Sequence, residues 1–379
     1  MSTAERRFDC DLAIVGASFA GLSCARSAAL RGLRTVVLDH KPAAGFRVQT
    51  TGLVVKEAAE RWEIPSRLTR VVRGVRLYAP NMGQVDLQAP GYYFLATDTP
   101  ALMTWFADEA QRAGARLRFG ERYRGAKRID GGIEVRGCGL RARYLVGADG
   151  ANSHVARDFG LGRNRSFLFG IETEYERVSG IDSDRLHCFV DSRLAPGYIG
   201  WVVPGVGGIA QIGLAARRPH RPDPSAFERK LTAVFDFGTA RSLSRRAGWI
   251  PVGGRVGRVA GDRVALVGDA AGVVSPLTAG GIHTALESAW RAAHAIADHL
   301  SGDGPSPAQV LEHSYPRFGW KRCLRNLADL PLPNALFDVA LGTPPLRWLA
   351  SAIFFHRRGT ATMSGTQAEP EPELRVPAD

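Results

Sequence analysis

The sequence predicts an α/β chain built around a Rossmann-like dinucleotide-binding unit, interrupted by an inserted antiparallel sheet and followed by C-terminal helices. Three stretches carry this expectation. Cys10-Asp-Leu-Ala-Ile-Val-Gly16-Ala-Ser18-Phe-Ala-Gly21 is a short apolar run that ends at glycine and leads into a helix. Tyr144-Leu-Val-Gly-Ala-Asp149-Gly150 is a second run, ending in an Asp-Gly turn pair. Arg263-Val-Ala-Leu-Val-Gly268-Asp269-Ala-Ala-Gly272 repeats the strand, glycine, helix pattern far down the chain.

Residues 12–15 are apolar and short enough for a buried parallel strand. Ala20–Leu30 reads as a helix rich in small residues. The turn between them needs glycine so that backbone can approach a pyrophosphate, which the helix N-terminus then binds through its amides. The pattern is Gly16-x-Ser18-x-x-Gly21, with Ser18 where a glycine is usual. Arg34–Leu38 is the next strand, and it ends at Asp39, placed to accept hydrogen bonds from an adenosine ribose. Asp149 and Gly150 form the second turn of the groove. Asp269 is placed to bond a ribityl hydroxyl. Pro276-Leu-Thr-Ala-Gly280-Gly281 opens a helix running to about Leu300, whose first amides face a flavin pyrimidine and stabilise negative charge on the reduced ring. One dinucleotide held at both ends in this way is FAD.

The three segments, in this order, resemble the FAD-dependent flavoproteins of para-hydroxybenzoate-hydroxylase fold. Within them the chain is similar to the geranylgeranyl reductase branch, which carries a Gly-Asp-Ala-Ala-Gly…Pro-Leu-Thr-Gly-Glu-Gly-Ile segment. Here it reads Gly268-Asp269-Ala270-Ala271-Gly272…Pro276-Leu277-Thr278-Ala279-Gly280-Gly281-Ile282. Aromatic hydroxylases of this fold usually have His at the place of Gly272 and Gly at the place of Thr278. The branch also carries a Tyr-x-Trp-x-Phe-Pro element, against Tyr198-Ile-Gly-Trp201-Val-Val-Pro204 here. Two departures stand out. Asp98-Thr99 replaces an Asp-Arg pair that helps hold FAD, and Gln49-Thr50-Thr51-Gly52 lies where several prenyl reductases have Cys-Gly, so a mechanism needing that thiol is not available.

The expected FAD-binding domain is discontinuous: 1–78, 100–165 and 250–302. Residues 79–99 and 166–249 form the substrate-binding sheet domain, with turns rich in Pro, Gly and Asp between short strands. Residues 303–358 are C-terminal helices, and the Pro/Glu-rich 359–379 reads as a disordered tail. The charge is +12 over 379 residues; of 49 basic residues only Lys41, Lys56, Lys127, Lys230 and Lys321 are lysine, which leaves 44 arginines. This skew fits codon composition as well as a binding surface, and no basic cluster interleaved with aromatics suggests nucleic acid. Five scattered cysteines have neither metal nor disulfide spacing, so no metal site is expected and a reducing cytoplasm fits. No run reaches the length of a spanning helix.

The resemblance implies an FAD-dependent oxidoreductase that reduces carbon–carbon double bonds of an isoprenoid or other apolar substrate, with NADPH or a small electron carrier reloading the flavin. The rival readings are a flavin monooxygenase, a halogenase and a redox-neutral cyclase. Tyr198 and Trp201 are the expected aromatic wall over the flavin, although their odd spacing puts them on opposite faces of a regular strand unless Gly200 marks a bulge. Thr50 and Thr51 line the flavin's other edge. His283 is the candidate proton donor. Lys56, of interest because halogenases need a lysine between flavin and substrate, reads as a solvated side chain on an amphipathic helix over 53–61. The pieces 332–341 and 345–355, ended by basic residues up to 358, read as a lid, a peripheral membrane contact or packing on the protein's own core.

Overall fold

The computed structural model describes residues 8–330 and 332–355. Cys10–Val15, apolar except at Asp11, is a central strand of an eight-stranded sheet. It pairs in parallel with Thr35–Asp39 on one side and Leu140–Gly147 on the other. Arg116–Phe119 and Val264–Leu266 extend the two sides, again in parallel. Helices Phe19–Leu30 and Ile282–Ser301 pack together over this sheet. Both helices are rich in small buried residues (Ala25 and Ala28 on one, Ala285, Ala289 and Ala292 on the other), which lets them pack closely. The parallel strands share one direction, so Gly16, Asp39, Ala148 and Gly268 gather at one edge, where open α/β sheets bind ligands.

The second sheet has seven strands, in the order Arg241–Pro251, Phe167–Glu176, Ala210–Arg217, Gly200–Pro204, Arg185–Phe189, Gly74–Tyr78, Gln84–Gln88. It is antiparallel except where Arg185–Phe189 meets Gly74–Tyr78. That last strand comes from a stretch assigned by sequence to the FAD unit. Val75 and Leu77 bury one face there, in the period of two that a sheet requires. Phe94–Thr97, expected within the insert, joins Leu53–Val55 and Thr69–Val72 in a separate three-stranded sheet.

The stretch 53–61 is not one helix. Leu53-Val-Val pairs as a strand, which suits β-branched residues, and only Lys56–Arg61 is helical. Four helices close the described chain: Pro307–Ser314, Gly319–Ala328, Asn334–Ala340 and Pro344–Phe355. Among the described residues no helix is long and apolar enough to cross a membrane. The tail expected at 359–379 lies outside the described residues.

Candidate functional site: a dinucleotide groove continuous with an apolar cavity

The carboxyl edge of the parallel sheet opens into a cavity of about 360 Å³ that reaches across to the seven-stranded sheet. One end is lined by Ser18, Phe19 and Ala20, the start of the twelve-residue helix Phe19–Leu30. Ser18 is the N-cap yet makes no side-chain cap, so the first-turn amides are left for a ligand. Two glycines make the close turn possible. A Cβ on Gly21 would stand 1.8 Å from the carbonyl oxygen of Gly16, and one on Gly16, at φ +106°, would stand 2.3 Å from that of Ala148.

The three acidic residues read from sequence are held in three different ways. Asp39 ends its strand as expected, but its Oδ2 accepts the Ala17 amide at 2.7 Å and its Oδ1 the Lys41 amide at 2.8 Å. It therefore shapes the glycine turn itself, and only its remaining lone pairs are left for a ribose. Asp149 accepts from the Ser153 hydroxyl at 2.6 Å and from the amides of His154 and Val155 at 2.7 and 3.0 Å. It braces the start of the helix His154–Asp158, and of this pair Gly150 is the one that lines the cavity. Asp269 also lines the cavity, its carboxylate has no hydrogen-bond partner among the described residues, and burial pushes its pKa up to about 6. A carboxylate left in that state suits a hydroxyl donor from a ligand.

Asn164, which sequence reasoning passed over, ties this edge together. Its Nδ2 donates to the main-chain oxygens of Ala151 and Asp269 at 3.0 and 2.8 Å. Gly272 sits at φ +67°, and a Cβ there would lie 2.6 Å from the Gly254 oxygen and 2.7 Å from Asn164 Oδ1, so the backbone leaves no room for a histidine. The helix expected from Pro276 starts only at Ile282. Ala279 at φ +51° breaks the helical path, Pro276 is buried away from the cavity, and Thr278, Ala279, Gly280 and Gly281 form its rim.

Both expected aromatics reach the cavity. The alternation argument does not apply to them, because Tyr198 precedes the strand Gly200–Pro204 and only Trp201 lies in it. The Tyr198 hydroxyl donates to the Thr278 oxygen at 2.6 Å, linking the sheet to the glycine rim. Gln49, Thr50 and Thr51 line it too, with the charged side chains of Glu172 and Arg246, and Leu186, Ile199, Val203, Ile250 and Phe354 add an apolar part. Cys188, unmarked in the sequence, is also in this wall, and burial pushes its thiol up to about 12, so it stays protonated. His283 is placed differently from its expected role: its neighbours Ile282 and Ala285 line the cavity, while its own ring packs edge-on against Trp62 at 6.0 Å. In a helix, consecutive residues point about 100° apart, which turns this side chain away. Lys56 Nζ donates to the Gly91 oxygen at 2.9 Å and lies 3.6 Å from Glu60, outside the cavity.

Free helix-start amides, an unpartnered acidic group and an adjoining apolar chamber are features that suit a flavin dinucleotide beside an apolar substrate. Comparison with known proteins agrees. A family model described as an FAD binding domain matches residues 9–312. A digeranylgeranylglycerophospholipid reductase of Methanopyrus kandleri is 30% identical over 319 residues, covering 78% of this chain and 79% of that protein. One from Methanosphaera stadtmanae is 28% identical over 297 residues, covering 73% and 75%. In structure, a geranylgeranyl bacteriochlorophyll reductase-like protein from Thermoplasma acidophilum superposes with a TM-score of 0.79 at 22% identity, over 90% of this chain and 96% of the other. The halogenase PltM in complex with phloroglucinol and FAD gives 0.69 at 17%, over 87% and 78%. The fold is that of the para-hydroxybenzoate-hydroxylase flavoproteins. The chain belongs to the FAD binding domain family and, within it, to the geranylgeranyl-reductase-like branch; it is an FAD-dependent oxidoreductase.

Proposed function

We propose that this enzyme reduces carbon–carbon double bonds in the isoprenoid chain of a lipid or a similarly apolar substrate. The observation that carries this reading is the continuity of the groove with a wall of Trp201, Leu186, Ile199, Val203 and Phe354, which suits an alkene chain and offers it little to hydrogen-bond. The names of the relatives point the same way. Bound and reduced, the flavin supplies hydride from N5. The chain's own part is to hold the dinucleotide through residues 16–21, 39, 149–150, 268–269 and 280–281, to lay the alkene against Trp201 and Tyr198, and to exclude water with Phe354. The proton for the second carbon comes from a cavity group or a trapped water in place of His283, which faces Trp62. NADPH or a small electron carrier reloads the flavin.

The division into an FAD unit (1–78, 100–165, 250–302) and a substrate unit (79–99, 166–249) is kept in this reading, with the strand Gly74–Tyr78 moved to the substrate unit and Phe94–Thr97 moved to the FAD unit with its partners Leu53–Val55 and Thr69–Val72. For residues 332–355 the reading is a lid or a peripheral membrane contact, beside packing on the protein's own core, where Leu341 and Phe355 are buried; 356–358 lie outside the described residues. Within the described part, Leu336, Val339 and Trp348 are exposed while Phe354 lines the cavity, so this region borders both solvent and substrate. Cutting the chain after Asp329 is expected to free it from anionic liposomes, and unchanged co-sedimentation would remove the membrane from this picture.

The reaction is tested by reducing the flavin without oxygen and adding polyprenyl substrates. A reductase reoxidises at once. A hydroxylase stays reduced until oxygen arrives, and a cyclase makes product with no net change in the flavin. The halogenase reading loses support from Lys56, whose amine is held by Gly91 outside the cavity.

A further inference from the structure

We propose that Glu172, absent from every expectation above, is the positioning residue of the substrate wall: it fixes the plane of Trp201 and ties the Gln49–Gly52 loop to the sheet, so that the substrate meets an indole face and no free N–H. The claim about substrate rests on the reductase reading; the tether itself does not.

Glu172 Oε2 accepts two donors, Trp201 Nε1–H at 2.6 Å and the Thr51 hydroxyl at 2.5 Å. Its Oε1 accepts Arg246 Nε–H at 2.7 Å. Arg246 is also paired through Nη2 with Glu172 and, at 3.0 Å, with Glu174. The Glu172 and Arg246 side chains are only 5% and 11% exposed, so these bonds are not competed away by solvent. Sheet register places them directly across from one another: Glu172 opposes Arg246 on one side and Gly213 on the other, and Gly213 opposes Trp201.

Glycine completes the arrangement. A Cβ on Gly213 would stand 2.6 Å from Trp201 Cζ2, and one on Gly170 would stand 3.8 Å from Cη2. The indole thus lies across a strip of bare backbone and is hooked at its far edge by Glu172. The same oxygen also takes the hydroxyl of Thr51, which comes from a different segment and lines the cavity beside Trp201. Trp201 N–H and the Thr51 hydroxyl proton are both committed to Glu172, so neither has a donor left for a substrate, and Trp201 presents its ring. That arrangement favours an apolar chain over one carrying hydroxyls, and it sets the height at which the chain lies over the flavin, where small displacements cost rate steeply.

Glu172→Gln keeps the size but replaces one acceptor oxygen with a donor, so it cannot serve Trp201, Thr51 and Arg246 together. The first readout needs no substrate. With ¹⁵N-labelled tryptophan the protein's seven indoles can be followed, and the resonance missing from Trp201→Phe identifies the one in question. It should move upfield in Glu172→Gln, as a strong acceptor is lost, while FAD content stays at the wild-type level. Reoxidation of reduced flavin by a polyprenyl substrate should fall about tenfold or more in kcat, with KM within about threefold. Combined with Trp201→Phe, the Glu172→Gln change should add less than its own single loss, since the Trp201 contact is shared and only the Thr51 and Arg246 contacts remain to be lost. Thr51→Val, which leaves the ion pair intact, should show a smaller loss of the same kind and serves if Glu172→Gln fails to fold. An unmoved indole resonance overturns the tether. Losses that multiply, or an unaltered kcat beside a moved resonance, overturn the positioning role. If wild-type flavin is reoxidised by no polyprenyl compound, the reductase reading falls and the indole shift still decides the tether.

Discussion

Asp39 ends one parallel strand and Asp269 follows another, both at the same edge of the sheet, yet one is committed to the protein and the other is not. Asp39 is buried and holds two backbone amides; Asp269 has no partner among the described residues and resists ionisation. In the proposed assignment, the adenosine end of the groove is therefore built before any ligand arrives. The flavin end is held at a cost that a ribityl hydroxyl would offset. A ligand that binds the folded chain at Asp269 relieves that cost, so cofactor occupancy and stability should be linked most strongly at the flavin end.

Four substitutions sharpen or break this contrast. The largest effect is expected from Gly21→Ala, which forces a methyl against the Gly16 oxygen and removes the turn on which both ends depend. The purified variant should carry almost no flavin absorbance and lose more than about 3 kcal/mol of stability. Asp39→Ala comes next. It orphans the Ala17 and Lys41 amides, and the apoprotein should lose about 2–4 kcal/mol, read as a melting temperature several degrees lower whether or not FAD is added.

Asp269→Asn should act in the opposite sense on the apoprotein. Below about pH 4 this carboxyl is protonated in both folded and unfolded chains and costs nothing. As pH rises toward about 6 the unfolded chain ionises while the folded one resists, so folding becomes less favourable, and the full penalty stands above that. The asparagine variant should thus melt above the wild-type apoprotein at pH 8, by an advantage that fades toward pH 4, while its FAD affinity drops about ten- to a hundredfold. A variant apoprotein that melts below wild type at pH 8 would erase the distinction between the two ends. The smallest effect belongs to Tyr198→Phe, which removes the bond to Thr278 at a cost of about 1 kcal/mol and should slow flavin reoxidation by a few-fold with FAD content unchanged.

What could be read in advance was local. Gly16, Gly21 and Asp269 belong to short segments whose steric needs are visible in one window of sequence, and the apolar runs before them placed the parallel strands. The roles of Asp39 and Asp149 were harder. A carboxylate at a strand end looks alike whether it meets a ribose or a neighbouring amide, and only three-dimensional proximity separates the two. His283 shows a finer limit, since one step along a helix turns a side chain from the cavity to Trp62. Glu172 was invisible because its partners Thr51, Trp201 and Arg246 come from distant segments, and a lone glutamate in a strand reads as a solvent-facing residue. The parallel entry of Gly74–Tyr78 into the second sheet was missed for a related reason: pairing direction is set by the route of the chain and leaves no mark in a five-residue pattern.

Phe354 carries a consequence for biogenesis. Among the described residues it is the last part of the cavity wall in chain order, so a ribosome releases it after every described strand of the nucleotide-binding sheet has emerged. A nascent chain can recruit its prosthetic group while the chamber above is still unroofed. Premature termination shortly upstream would then yield a coloured protein whose reduced ring is exposed to oxygen, giving peroxide in place of saturated product.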